Sequence, residues 1–162
     1  PTCGSGSLLL KIADEAGKDI SLFGQEKDVA TAGIAKMNMI LHNNPTADIR
    51  KGQSTLSHPL FTSHNSLKQF DYAVSNPPFS SKNWMDGFKP SDDLYQRFTG
   101  YGVPPTKNGD YAFLLHIIKS LKSNGKGAVI LPHGVLFRGG SEAAIRKAIV
   151  EKGYIKGIIG LP

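Results

Sequence analysis

The chain has 162 residues, of which 40% are hydrophobic and 20% are charged, and its formal net charge is +6. This length suffices for one domain with a substantial core, and the composition excludes a disordered tail. The longest apolar stretches, such as residues 128–131, are far shorter than the roughly 20 residues that a membrane-spanning helix needs. The single cysteine cannot form an internal disulfide, so we expect a cytoplasmic protein.

The positive charge is concentrated in the C-terminal part of the chain. Residues 1–78 carry seven basic and seven acidic side chains, whereas residues 110–162 carry eight and three. A basic balance indicates a polyanionic partner such as nucleic acid, because phosphate contacts dominate nucleic-acid affinity. The alternative is a solvated, lysine-rich surface.

Helical patterns alternate with short apolar runs, which predicts an α/β domain with a mainly parallel sheet and helices on both faces. In chain order, the predicted helices cover residues 6–16, 29–42, 110–121 and 141–152. The predicted strands cover residues 20–23, 47–49, 71–75, 127–131 and 154–159. Asp28 and Asp110 are expected to cap the helices that follow them. This order favours ligand binding at the carboxyl ends of the strands.

A glycine-rich segment, Pro1-Thr2-Cys3-Gly4-Ser5-Gly6-Ser7, leads into the first predicted helix. Glycines permit positive φ angles and a close approach to the backbone, so a ligand can lie against the main chain there. The segment lacks the Gly-Lys-Ser/Thr end of a Walker A loop, and a plain turn is the alternative. Glu26 follows Gly6 by 20 residues, a position from which a carboxylate can bind ribose hydroxyls. Together the two features favour nucleoside binding.

Asn76-Pro77-Pro78-Phe79 follows the strand predicted over residues 71–75. Two consecutive prolines cannot continue a central ladder, and the turn leaves backbone carbonyls without ladder partners. The side-chain oxygen of Asn76 and the carbonyl of Pro77 can form two acceptors for one NH₂ group, and Phe79 offers a flat face to a planar base. An ordinary Asn-Pro-Pro turn is the alternative interpretation.

These motifs resemble the amino-methyltransferases that use S-adenosylmethionine, and most closely the methylation subunits of type I restriction–modification systems. The resembling segments are PTCGSGSLLLK (1–11), LFGQEKDVATAGIAKMNMILH (22–42), FDYAVSNPPFS (70–80), GDYAFLLHIIKSLKSNGKGAVILPHGVLFRGGSEAAIRK (109–147) and GIIGLP (157–162). The resemblance implies a Rossmann-like methyltransferase fold over residues 1–162 and transfer of a methyl group to N6 of adenine in DNA. The target base must be flipped out of the duplex, and the expected partners are a DNA-specificity subunit and, in a cleaving complex, a restriction subunit.

The same resemblance assigns roles to residues. The cofactor-binding residues would be Thr2, Cys3, Gly4, Ser5 and Gly6 for the methionine part, Glu26 for the ribose and Gln53 for the adenine edge. The residues that bind the target base would be Asn76, Pro77, Pro78 and Phe79. Gln53 stands where the family often has Asp. No metal is required, and the histidines show no metal-ligand spacing.

The sequence also departs from the family pattern. The family has an acidic or amide residue and a strand before the proline of its first motif, together with further regions at both ends. We therefore expect this chain to be a catalytic-core piece that lacks the first strand and the C-terminal part of the fold. The alternatives to DNA methylation are a glutamine-N5 protein or RNA amino-methyltransferase, and a non-catalytic module that binds cofactor or a partner subunit.

Residues 80–109 form a long predicted loop, which is uncommon unless it is a lid or a binding element. Six of the 14 aromatic residues lie within 79–109. With Lys82, Lys89, Arg97 and Lys107, they predict a DNA-facing lid that folds over base and backbone. The alternative is a lid that packs only on its own protein. Arg138 is a candidate phosphate contact or, equally, a surface residue.

Overall fold

The computed structural model describes residues 1–17 and 20–161. The helices are α1 Ser7–Ala16, α2 Val29–Leu41, α3 Asp110–Lys119 and α4 Ser141–Glu151. The strands are β1 Phe23–Glu26, β2 Asp48–Lys51, β3 Thr62–Ser63, β4 Ser66–Leu67, β5 Phe70–Ser75 and β6 Leu121–Val129. Two 3-10 turns cover Pro90–Asp92 and His133–Leu136. Within these described ranges, no helix is long and apolar enough to cross a bilayer.

The strands form three two-stranded sheets instead of the single sheet that was predicted, and two of the three are parallel, as expected. β1 pairs in parallel with β2, from Phe23 opposite Asp48 to Glu26 opposite Lys51. β5 pairs in parallel with β6, and the short β3 and β4 form an antiparallel hairpin that the sequence analysis missed. A cleft of about 560 Å³ is lined by residues of both β1 and β5. The expectation that a further strand precedes Pro1 stays a prediction.

The first two helices lie close to their predicted bounds because their end signals are local. Gly17 ends α1 with a φ of 77° and bonds back to the Ala13 carbonyl. Asp28 caps α2 by accepting from the Thr31 amide at 2.7 Å. The buried faces of these helices pack into one apolar core, made of Leu10, Ala13, Leu22, Ala32, Ala35, Met39 and Ile49.

The first strand lies later in the chain than predicted. It covers Phe23–Glu26 rather than residues 20–23, because Gly24 belongs to the strand instead of ending it. A Cβ at Gly24 would lie 2.9 Å from both the Cys3 sulfur and the Ile49 side chain. Glycine is therefore required there by the close approach of the glycine-rich segment to the strand.

The prediction for α3 and β6 was wrong at their junction. α3 ends at Lys119 and β6 begins at Leu121, so Asn124-Gly125 lies inside the strand instead of ending the helix. The pairing with β5 steps from Phe70–Leu121 to Tyr72–Lys126, which places Asn124-Gly125 in an irregular stretch of the ladder.

The last predicted strand, over residues 154–159, was also wrong. Residues 154–161 form no strand and are exposed. No strand within the described ranges pairs with this segment. An extended segment without a ladder partner has no hydrogen bonds to define it as a strand.

A second core holds the long loop against the C-terminal helices. Trp84 and Phe98 of the loop are buried with residues of α3 and α4, and the Trp84 indole donates to the Pro105 carbonyl at 3.1 Å. The aromatic residues of the loop therefore pack largely on the protein itself, while Lys82, Lys89 and Lys107 are exposed. The assignment of the loop as a DNA-facing lid stays a prediction that rests on these lysines and Phe79.

Arg97 does not face outward with the lysines. It is 2% exposed, pairs with Asp93 at 2.7 Å and donates to the Leu56 carbonyl at 2.8 Å. Its Nη1 lies 3.3 Å from Nδ1 of His116 on α3. The expectation that Arg97 contacts nucleic acid was therefore wrong, since the guanidinium is used to anchor the loop.

This network makes stability depend on pH through His116. Burial, and then the Arg97 charge, lower the pKa of His116 well below the ordinary value of 6.5. Just below pH 6.5, His116 is therefore protonated in the unfolded chain but neutral in the folded chain. As the pH falls below 6.5, we expect stability to fall by up to about 1.4 kcal/mol per pH unit from this residue. Urea unfolding at pH 7.5 and 5.5 measures the loss.

His116→Asn should remove this part of the pH dependence, because the Asn oxygen can still accept from Arg97 and does not titrate. His64→Asn, at an exposed histidine, is the matched control and should keep the wild-type profile. Equal acid losses in the wild type and His116→Asn would contradict the assignment.

Candidate functional site

The glycine-rich segment forms a tight turn at the start of α1. Gly6 is the N-cap residue of the helix, with a φ of 82°, and its amide bonds to the Cys3 carbonyl at 2.9 Å. A Cβ at Gly6 would lie 2.5 Å from Cε of Met39. The positive φ therefore favours glycine here, and a Cβ would also displace the terminal methyl of Met39. The first turn of α1 keeps its free amides at the loop.

Hydrogen bonds join this loop to the carboxyl ends of β1 and β5. The Cys3 amide donates to the Gln25 carbonyl at 3.0 Å, and the Gly4 amide donates to Oε2 of Glu26 at 3.0 Å. On the other side, Thr2 Oγ1 lies 2.8 Å from Ser75 Oγ. The loop therefore joins the carboxyl ends of two strands that belong to different two-stranded sheets, and ligands of α/β folds bind at such strand ends.

A cleft of about 230 Å³ opens at this edge. Its lining includes Thr2, Cys3, Gly4 and Ser5 from the loop and Asn76 from the end of β5. The structure therefore brings these five predicted residues together. Gly6 lies beneath the loop against Met39, and Glu26 touches the loop from the end of β1.

The polar groups in and beside this cleft fit a polar ligand that carries a nucleoside. Space is open where a Cβ would stand on Gly4, which has a φ of 56°, so a ligand can approach the backbone there. Each Glu26 oxygen accepts one amide, from Gly4 or from Asp28, and keeps a second lone pair for a hydroxyl. Burial raises the pKa of the Cys3 thiol to about 11, so Cys3 stays protonated and serves as a turn residue.

The Asn-Pro-Pro-Phe turn exposes the Asn76 side chain and the Phe79 ring. Asn76 is exposed while Pro77 is buried, and the Phe79 side chain is 51% exposed. Among the described residues, no group donates a hydrogen bond to the Asn76 side-chain oxygen or to the Pro77 carbonyl. The turn therefore offers two acceptors without a protein donor and an exposed ring, and its first residue, Asn76, lines the cleft.

Gln53 is separate from this cleft. Its side chain is exposed, and its carbonyl accepts from Gln25 Nε2 at 3.1 Å. Gln25, which the sequence analysis missed, is 2% exposed and also bonds to His58 and Leu60. The available signal in the sequence was a polar residue inside a short strand, directly before Glu26. Gln25 fixes the backbone of the segment that carries Gln53.

Arg138 and Asp110 have other partners than predicted. The N-cap of α3 is Gly109, and the Asp110 side chain makes no cap bond to its own helix. Its buried carboxylate instead binds Arg138 Nη1 at 2.8 Å. Because Arg138 also pairs with Glu142 at 3.2 Å, its guanidinium is already neutralised within the protein, and its role as a phosphate contact is not supported.

Nothing in the described ranges forms a metal site, since no three His, Cys, Asp or Glu side chains are grouped suitably there. The groups in and beside the cleft offer hydrogen bonding, stacking and backbone contact.

Comparison with known proteins gives a consistent result. Residues 1–162 match the N-6 DNA Methylase family. The type I restriction enzyme MjaVII methylase subunit of Methanocaldococcus jannaschii is 34% identical over 172 aligned positions, covering 100% of this chain and 29% of the relative. The MpnII methylase subunit of Mycoplasma pneumoniae is 35% identical over 170 positions, covering 99% of this chain and 31% of the relative.

A solved structure is similar as well. The crystal structure of the type I restriction-modification system methyltransferase subunit from Streptococcus thermophilus has a TM-score of 0.77 and 40% identity, covering 94% of this chain and 32% of that chain. This chain thus spans about a third of the length of these relatives. The match confirms the expected Rossmann-like methyltransferase fold, and the chain belongs to the N-6 DNA Methylase family.

Proposed function

We propose that this chain carries the catalytic core of an S-adenosylmethionine-dependent methyltransferase that modifies N6 of adenine in DNA, as the modification subunit of a type I restriction–modification system. The observation that carries the proposal is the joining of two motifs in one site. The glycine-rich loop is bonded to Ser75 through Thr2 at 2.8 Å, and Ser75 directly precedes the Asn-Pro-Pro-Phe turn.

The turn supplies what an exocyclic amine needs. The Asn76 oxygen and the Pro77 carbonyl would accept the two N6 hydrogens, so the nitrogen lone pair is directed away from the protein acceptors. The exposed Phe79 ring would stack on the flipped adenine. Because orientation alone can lower a barrier by several kcal/mol, the site needs no strong base, and the described residues near the turn offer none.

The loop and its neighbours would hold the cofactor. Thr2–Gly6 would surround the methionine part, and Glu26 would accept from the ribose hydroxyls. Gln53 lies outside the cleft, but it follows Gly52, whose amide donates to the Glu26 carbonyl at 3.1 Å, so it would contact the adenine edge beyond the ribose. When bound, S-adenosylmethionine supplies an electrophilic sulfonium methyl group. The protein contributes the positions of the two ligands, the acceptors at Asn76 and Pro77, and the ring of Phe79.

Methyl incorporation from tritiated S-adenosylmethionine into DNA, RNA and protein tests the function. The full-length protein, with any partner subunit it requires, should label DNA and yield N6-methyladenine. Label in RNA or in protein glutamine would favour the alternative amino-methyltransferases. Cofactor binding without transfer to any substrate would favour a non-catalytic module.

Glu26→Gln should weaken cofactor binding without unfolding the chain. A hydrogen bond to a charged acceptor is worth about 1.5–3 kcal/mol, so we expect about tenfold to hundredfold weaker affinity in calorimetry. The Gln side chain also has only one oxygen for the two amides of Gly4 and Asp28, which disturbs the loop.

Glu15→Gln is the matched control, because Glu15 is an exposed residue of α1 and should bind cofactor as the wild type does. Unchanged affinity in Glu26→Gln would exclude Glu26 from the cofactor site.

A further inference from the structure

Asp110 joins three segments of the chain just beyond the Asn-Pro-Pro-Phe turn. Its carboxylate, which is fully buried, accepts from the Ser80 amide at 2.7 Å and from Arg138 Nη1 at 2.8 Å. Arg138 lies before α4, and its Nη2 is 3.4 Å from the Ser80 hydroxyl. One charged network therefore connects the start of α3, the approach to α4 and the residue that follows Phe79.

The base of the long loop is closed at the same point. The Gly109 amide donates to the Ser81 carbonyl at 3.0 Å, beside the bond between Ser80 and Asp110. The first and last residues of the loop are therefore hydrogen-bonded to each other and form a stem. This stem places the exit of the turn directly on the first residue of α3.

Ser80 has a backbone conformation that requires such support. Its φ is 49°, in the left-handed region that residues other than glycine rarely adopt. Conformations of this kind persist where the surrounding structure holds them, and they cluster at functional sites. A charged acceptor on the Ser80 amide is the contact that holds this one.

We propose that Asp110 and Arg138 are positioning residues for methyl transfer, acting through the backbone of Ser80. This ion pair, in which only Asp110 is fully buried, holds Ser80 in its left-handed conformation and thereby fixes the direction of the Phe79 ring and of the acceptors at Asn76 and Pro77. Neither residue touches the substrate. The inference rests on the proposed function, because it assigns a role to groups of the same site.

Two substitutions at Ser80 separate the backbone contact from the side chain. Ser80→Gly keeps the amide and adopts a positive φ without strain. Ser80→Pro removes the amide and fixes φ near about −65°. Because both variants lack the hydroxyl, a difference between them reports on the backbone amide and the φ angle, on which the proposal depends. Asp110→Asn keeps the shape of the acceptor and removes the charge.

The experiment measures these three variants in the full-length protein. Ser80→Pro and Asp110→Asn should lower kcat for DNA methylation at least about tenfold, since a small misplacement of reacting groups costs one to two orders of magnitude. Cofactor affinity in calorimetry should not change, and Ser80→Gly should keep a kcat near the wild-type value. Hydrogen–deuterium exchange at the Ser80 amide should accelerate in Asp110→Asn, while exchange in α2 should not.

A wild-type kcat in Asp110→Asn would overturn the proposal, and so would a Ser80→Gly variant as impaired as Ser80→Pro. Faster exchange throughout α2, with matching loss of cofactor affinity, would show general destabilisation and would also overturn it. If the wild type itself transfers no methyl group to DNA, the proposed function fails, and exchange at Ser80 then decides alone whether Asp110 holds this residue.

Discussion

Asn76→Ala is expected to abolish methyl transfer in the full-length protein while leaving cofactor affinity nearly unchanged. The Asn76 oxygen is one of two acceptors without a donor among the described residues, and it lines the same cleft as the glycine-rich loop. Deleting one preorganised hydrogen-bonding group at a reaction centre costs at least about 100-fold in kcat. Tritiated methyl incorporation and calorimetry measure the two quantities separately.

The matched control is Asn124→Ala, an exposed asparagine in β6 that should keep wild-type kcat and affinity. Because Asn76 is exposed, its loss leaves no buried group unsatisfied, so the unfolding midpoint in urea should stay near the wild-type value. If Asn76→Ala still transfers methyl groups, the turn is not the site of the reaction.

The motifs that could be predicted from sequence share one property, which is that their signals are local. Two prolines must end a strand wherever the chain goes afterwards, and a glycine at position 6 permits the left-handed turn from which α1 begins. The carboxyl ends of parallel strands meet at one edge of a sheet, so the glycine-rich loop and Asn76 could be expected together. The structure bears out this proximity.

The residues that were misjudged depend on partners far along the chain. Asp110, at the start of an apolar helix, looks the same whether it caps that helix or binds Ser80 thirty residues earlier. Gln25 looks like a strand-end residue until its three partners between residues 53 and 60 are known. No spacing rule connects such pairs, because the contacts form only when separate elements pack.

Arg97 was also misjudged, because its partners could not be read from the sequence. Its substitution should lower stability and leave DNA binding unaffected. The side chains of Arg97 and Asp93 are 1% and 4% exposed. Burial alone would raise the pKa of Asp93, but hydrogen bonds from the Arg97 side chain and amide hold that pKa below its ordinary value. Removing one partner of a buried pair leaves a charge without compensation, so Arg97→Met should cost about 3–5 kcal/mol.

Two further variants and a measurement of DNA binding make this expectation specific. Lys147→Met breaks an exposed pair with Glu151 at the same spacing and should cost less than about 1 kcal/mol in urea unfolding. Adding Asp93→Leu to Arg97→Met should restore part of the loss, since it removes the unpaired carboxylate. If Arg97 instead bound phosphate, Arg97→Met would leave the free energy of unfolding unchanged, because the loop would stay anchored on α3. The variant would then bind DNA more weakly, and its affinity would depend less steeply on salt, because one contact that releases a counterion would be lost.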